Sequence, residues 1–67
     1  MSLTLINKIR TIINTTPGAR EFLENLFDSD LISTLMIINI KEYFNLTLYM
    51  AEKVFSVFLD ERISRGL

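Results

Sequence analysis

The sequence predicts an all-α protein, a compact bundle of about four short helices forming a single domain over residues 1–67. Three observations carry that expectation. Apolar side chains recur at intervals of three and four, the spacing that lays one apolar face along a 3.6-residue helix. With only two glycines and one proline, Pro17-Gly18 is the one strong internal break. Capping residues stand just ahead of the apolar runs, at Ser2, Thr16, Asp28-Ser29-Asp30 and Thr47.

The first helix is expected from an N-cap at Ser2 to about Asn14. Leu5, Ile6, Ile9, Ile12 and Ile13 make its apolar stripe, with Asn7, Lys8, Arg10 and Thr11 on other faces. Its isoleucines and threonines also suit a strand, but their spacing is not two. Thr16 then reads as an N-cap with Pro17 at the first helical position, where the missing N–H costs nothing. The second helix follows, and Ala19, Phe22, Leu23, Leu26 and Phe27 fill the helical template opposite Arg20, Glu21, Glu24 and Asn25.

The third helix is expected to start at about Asp30, with acidic groups near the positive end of its dipole. Leu31, Ile32, Leu35, Met36, Ile37, Ile38, Ile40, Tyr43 and Phe44 cover most of its circumference, as in a buried central helix or one sandwiched in an interface. The β-branched run Ile37 to Ile40 leaves open whether residues 30–45 form one helix or two. Asn45-Leu46-Thr47 reads as a short turn, with Asn45 suited to the left-handed conformation and Thr47 to a cap. The last helix runs to about Arg65 on the stripe Leu48, Ala51, Val54, Phe55, Phe58 and Leu59, and Gly66 sits at its C-terminal cap.

Composition narrows the function classes. There is no Cys and no His, so thiolate or imidazole catalysis, disulfides and nitrogen- or sulfur-ligated metal sites are not expected, nor is a cofactor. Glu21 with Glu24, and Asp60 with Arg62 and Arg65, read as solvated salt partners on polar helix faces, and no enzyme is predicted. A chain this short buries only about 60% of its unfolded surface, and 49% hydrophobic residues, including five Phe and two Tyr, exceed what it can hide. A homodimer through apolar faces of the first or third helix is therefore expected. Seven basic and eight acidic residues give a net charge of −1 with no basic run. The apolar stretch Leu35 to Ile38 is far shorter than the ~20 residues that span a bilayer, and the cytoplasm is the expected compartment. The triplets at Asn14 and Asn45 that match the glycosylation pattern are read as chance.

Residues 40–63 resemble the helix-turn-helix superfamily of DNA-binding proteins, over about a third of the chain. Ile40 and Phe44 stand where a scaffold helix faces inward, and Asn45 takes the turn position often held by Gly. Leu46 plugs the corner, and Ala51 and Val54 pack a recognition helix. The position usually filled by Ala is Lys41, and the chain stops at Gly66-Leu67 with no wing. The resemblance implies a small transcriptional regulator on double-stranded DNA. Its candidate contacts are Thr47, Tyr49, Glu52, Lys53 and Ser56 on the last helix, with Lys41 beside them and Arg62 and Arg65 as supporting cations.

DNA is the preferred target on this reading, and the runner-up is an oligomeric protein–protein interaction module, a small helical inhibitor or adaptor. Its candidate interface residues are Ile9, Ile13, Met36, Ile37, Tyr43 and Met50. Tyr49, Phe55 and Phe58 belong to the same surplus of aromatic side chains. Near-neutral charge favours this reading, and the turn at Asn45 favours DNA.

Overall fold

In the computed structural model, residues 3–66 are described. They form four helices and no strand: α1 Leu3–Thr15, α2 Ala19–Phe27, α3 Ser33–Phe44 and α4 Leu48–Arg65. The expected cap at Ser2 lies outside the described residues. Helix α1 holds as a helix despite its β-branched content, and its threonines bond back onto their own helix. The hydroxyl of Thr11 donates to the Asn7 carbonyl at 2.9 Å, and that of Thr15 to the Thr11 carbonyl at 2.7 Å. The apolar spacing then sinks Ile9 and Ile13 into the core.

Two helix starts differ from expectation, each for a local reason. Pro17 is not the first residue of α2. It sits at the second position of a turn in which the Ala19 N–H donates to the Thr16 carbonyl at 3.1 Å. Gly18 takes φ 75, ψ 1 at the third position, the backbone of a type II turn, so the helix opens at Ala19 instead. Likewise Asp28-Ser29-Asp30 closes α2 and does not cap α3. The Asp28 N–H donates to the Glu24 carbonyl at 3.0 Å, and the Ser29 hydroxyl donates to the Leu26 carbonyl at 2.6 Å while accepting from the Leu31 N–H at 3.3 Å. That double use of Ser29 holds residues 31 and 32 outside a helix, and α3 begins after an extended Ile32.

Residues 33–44 are one unbroken helix. The Asn39 amide donates to the Leu35 carbonyl at 2.8 Å, so the β-branched run causes no break there. Its end was legible: Asn45 adopts φ 56, ψ 53, with its N–H on the Glu42 carbonyl and the Leu46 N–H on the Lys41 carbonyl at 2.9 Å. These are the two bonds of a Schellman motif, which the packing of Leu46 against the core accompanies. Thr47 caps α4 as expected, its hydroxyl oxygen accepting from the Met50 N–H at 3.2 Å. Gly66 ends α4 in a right-handed conformation, φ −77, with its N–H on the Arg62 carbonyl.

The central helix is α4, not α3. Ala51, Val54, Val57 and Phe58 are buried along it, and it packs on α1 and α3. It meets α2 through the ring contacts of Phe27 with Phe55 and Phe58, at 5.2 and 5.1 Å between centroids. Helix α3 buries Ile40 fully and leaves its opposite side outward. A second aromatic group ties α2 to α3: Phe22 stacks on Tyr43 at 3.9 Å and meets Phe44 edge-on at 6.1 Å. The radius of gyration, 11.1 Å, equals the about 11 Å expected for a compact chain of this length.

Candidate interaction surfaces

Two outward helix faces carry large apolar side chains. On α3 and its approach, Leu31, Leu35 and Ile38 fall at spacings of four and three, opposite Met36, Ile40 and Phe44, with Ile32 beside them. Ile32 is 65% exposed and Leu35 44%. On α4, Leu48, Glu52, Ser56, Leu59 and Ile63 recur at three and four along the side away from the core, all exposed. Tyr49, Lys53 and Asp60 run along one edge of that face. Lys53 leans over Tyr49, its Nζ 5.0 Å from the ring centroid.

The α4 face therefore holds the residues expected to touch DNA. Thr47, Tyr49, Glu52 and Ser56 are exposed, Lys53 is half-buried, and Lys41 is exposed at the end of α3. Of the residues on which that resemblance rests, Ile40, Ala51 and Val54 are fully buried, and Phe44 and Leu46 are half-buried against the core. The supporting cations do not. Arg62 reaches Glu24 at 2.9 Å and Asp28 at 3.0 Å, and Arg65 reaches Glu24 at 3.1 Å. Arg10 and Arg20 converge on Glu61 at 3.5 and 3.7 Å. Among the described residues, Lys8, Lys41 and Lys53 take no part in an ion pair.

The expected interface residues divide. Ile9 and Ile13 are core: at 0% and 2% exposure they are enclosed within the chain and present nothing to a partner. The reason is that the α1 stripe is the only apolar face that helix has, and the bundle consumes it. Phe58 is enclosed as well, on the face of α4 that meets Phe27 of α2. Met36, Ile37, Met50 and Phe55 are half-buried and pack against the core. Tyr43 keeps an outward edge while its ring stacks on Phe22 and its hydroxyl donates to the Pro17 carbonyl at 3.3 Å. The residues that sequence reasoning passed over are Leu31, Ile32, Leu35, Ile38 and Ile63. Their signal was the apolar circumference of residues 31–44, but which side faces out depends on where α4 lies.

A surface groove of about 560 Å³ lies between α1, α2 and α4 and is lined by Ile6, Arg10, Arg20, Asp60, Glu61 and Arg65 among others. Its charged groups are largely turned on one another. Among the described residues no buried polar side-chain atom lacks a hydrogen-bond partner, no acidic cluster is arranged to hold a metal, and no helix is long and apolar enough to cross a membrane. Comparison with known proteins assigns nothing: no family model, curated protein or solved structure matches the chain.

Proposed function

We propose that this chain is a non-enzymatic interaction module that docks a partner protein on the outward stripe of α3. The observation that carries the reading is the pair Leu35 and Ile38 on α3, continued by Leu31 in the approach to it, exposed where the other side of the helix is already packed. A partner's amphipathic helix is the chemistry that fits, since it supplies matching apolar anchors at three- and four-residue spacing. The test is selection from a display library of amphipathic helical peptides, followed by titration of the winners. Binding that falls at least tenfold for Leu35→Asp and for Ile38→Asp supports the reading. Peptides that bind both variants as well as the parent sink it.

DNA binding is the second reading, favoured by the left-handed turn at Asn45 and the Thr47 cap between α3 and α4. The distribution of charge weighs against it. With the four arginines engaged by carboxylates, Lys41 and Lys53 are the cations near that face. Two phosphate contacts per chain give a shallow salt slope of about −2, against the 6–10 contacts common in tight binders. Titration against random duplex DNA discriminates: salt-sensitive binding lost in Lys53→Glu favours DNA, and no binding at low salt removes it.

A further inference from the structure

We infer that the outward face of α4 is a self-complementary surface for a second copy of this chain, paired antiparallel about a two-fold axis near Ser56. This goes beyond the docking stripe of α3, which lies on a different helix and stays free in such a dimer. Three features of one face support this pairing. Leu48, Leu59 and Ile63 expose large apolar side chains along it, at 52%, 37% and 54%. Unlike the stripe on α3, this face carries opposite charges on a single edge, Lys53 and Asp60, and among the described residues neither enters an ion pair. Seven residues separate them, about 10 Å along the axis. Helical side chains lean toward the N-terminus, and Lys53 leans onto Tyr49, away from Asp60.

An antiparallel two-fold pairing uses this edge charge in a way no parallel pairing does. When two helices are related by a two-fold axis perpendicular to both, each edge meets the same edge of the other copy, read in reverse. With the axis between the levels of residues 56 and 57, the backbone of Lys53 in each copy stands opposite that of Asp60 in the other, and once Lys53 swings off Tyr49 the pair forms twice. Ile63 then meets the end that carries Leu48 and Tyr49, and Leu59 packs beside Ser56. The two Glu52 carboxylates fall about 13 Å apart along the axis, while each lies within about 2 Å of the level of the other copy's Asp60, nearer the middle of the face than Lys53. In a parallel pair, Lys53 and Asp60 stay at separate levels and never meet.

The face runs from Leu48 to Ile63, about 22 Å at 1.5 Å per residue. A standard interface takes about 800 Å² from each partner, under a fifth of the 4456 Å² this chain exposes. A contact along one helix falls below that size, which makes the dimer a weak one, populated at micromolar to near-millimolar concentration. It also covers Tyr49, Glu52 and Ser56, so duplex DNA and the second copy compete for the same surface.

The experiment is sedimentation equilibrium of the full chain over that concentration range, beside charge-swapped variants. Lys53→Asp and Asp60→Lys each place like charges opposite one another twice, and each is expected to weaken dimerisation at least tenfold. The double swap restores the opposite pairing and is expected to return it to near the parent value. A parent chain that stays monomeric throughout, or single swaps without effect, or a double swap as weak as the singles, overturns the proposal. Circular dichroism of each variant separates loss of pairing from loss of fold. A second measurement uses the absence of cysteine: Ser56→Cys places two thiols next to the axis and is expected to form a disulfide-linked dimer readily on mild oxidation. Ile63→Cys places them about 20 Å apart and is expected not to. Equal cross-linking of the two overturns the antiparallel register. A chain that dimerises in this way but selects no helical peptide loses the α3 reading alone.

Discussion

Gly18 and Asn45 are the described residues with positive φ, at 75 and 56, and each sits where the chain reverses between helices. At Gly18 an added Cβ meets the Tyr43 hydroxyl at 3.5 Å, ordinary contact distance, so the obstacle is the backbone and not the space. Gly18→Ala is therefore expected to cost about 1–2 kcal/mol, the penalty of left-handed backbone with a Cβ, seen as a lower urea midpoint at unchanged slope. Asn45→Gly relaxes the same constraint at the other turn and is expected to hold or slightly raise the midpoint. Thr47→Ala removes the side-chain acceptor of the Met50 N–H and is expected to cost about 1 kcal/mol. Phe58 is the largest fully buried side chain, and Phe58→Ala is expected to cost about 3–5 kcal/mol. Set against a total of roughly 3–10 kcal/mol for a chain of this length, that removes from about a third to all of the stability, seen as a much lower urea midpoint by circular dichroism.

Helices α2 and α4 are clamped at one end by a single side chain with three partners. Arg62 spans Glu24 and Asp28 and lies 5.5 Å from the centroid of the Phe27 ring. The carboxylates are partly exposed, and exposed pairs contribute only about 0–1 kcal/mol each. Arg62→Ala is thus expected to cost about 1 kcal/mol by urea titration, with packing on Phe27 persisting as a loss at high salt. A Lys at this position cannot fork to both carboxylates, so Arg62→Lys is expected to recover less than half of the effect. If Arg62→Lys matches the parent, the clamp is plain charge and the fork contributes nothing. The same clamp explains why Arg62 and Arg65 are poorly placed to serve phosphates: moving them strips Glu24 and Asp28 of their partners.

The whole molecule places α4 against the other three helices and leaves an apolar stripe on the far side of α3. A fold with that distribution has surface residues whose removal the core does not feel. Leu35→Asp and Ile38→Asp are expected to shift stability by no more than about 0.5 kcal/mol, measured by thermal melting, while acting on partner binding. A large destabilisation by either variant shows instead that the stripe is needed for folding, and the docking proposal loses its footing. The charge balance acts at this scale too. Five ion-pair contacts join α1, α2 and α4, so a chain of nearly zero net charge offers its surroundings little cationic surface.

Four helices, their order and the turn at Asn45 were legible in the linear chain because they depend on neighbours: apolar spacing, the Thr47 cap and the left-handed tolerance of Asn all act within a few residues. The starts of α2 and α3 were not, because Gly18 and Ser29 each resolved a local competition between turn and helix that composition alone leaves balanced. The roles of Ile9, Ile13 and Phe58, and the exchange of centre between α3 and α4, were settled only by packing. Residues 31–44 are apolar nearly all round, and such a helix has no inward side of its own. Tertiary contact chose Met36, Ile40 and Phe44 for the interior and turned Leu35 and Ile38 outward, since one face of α3 sufficed to cover α4.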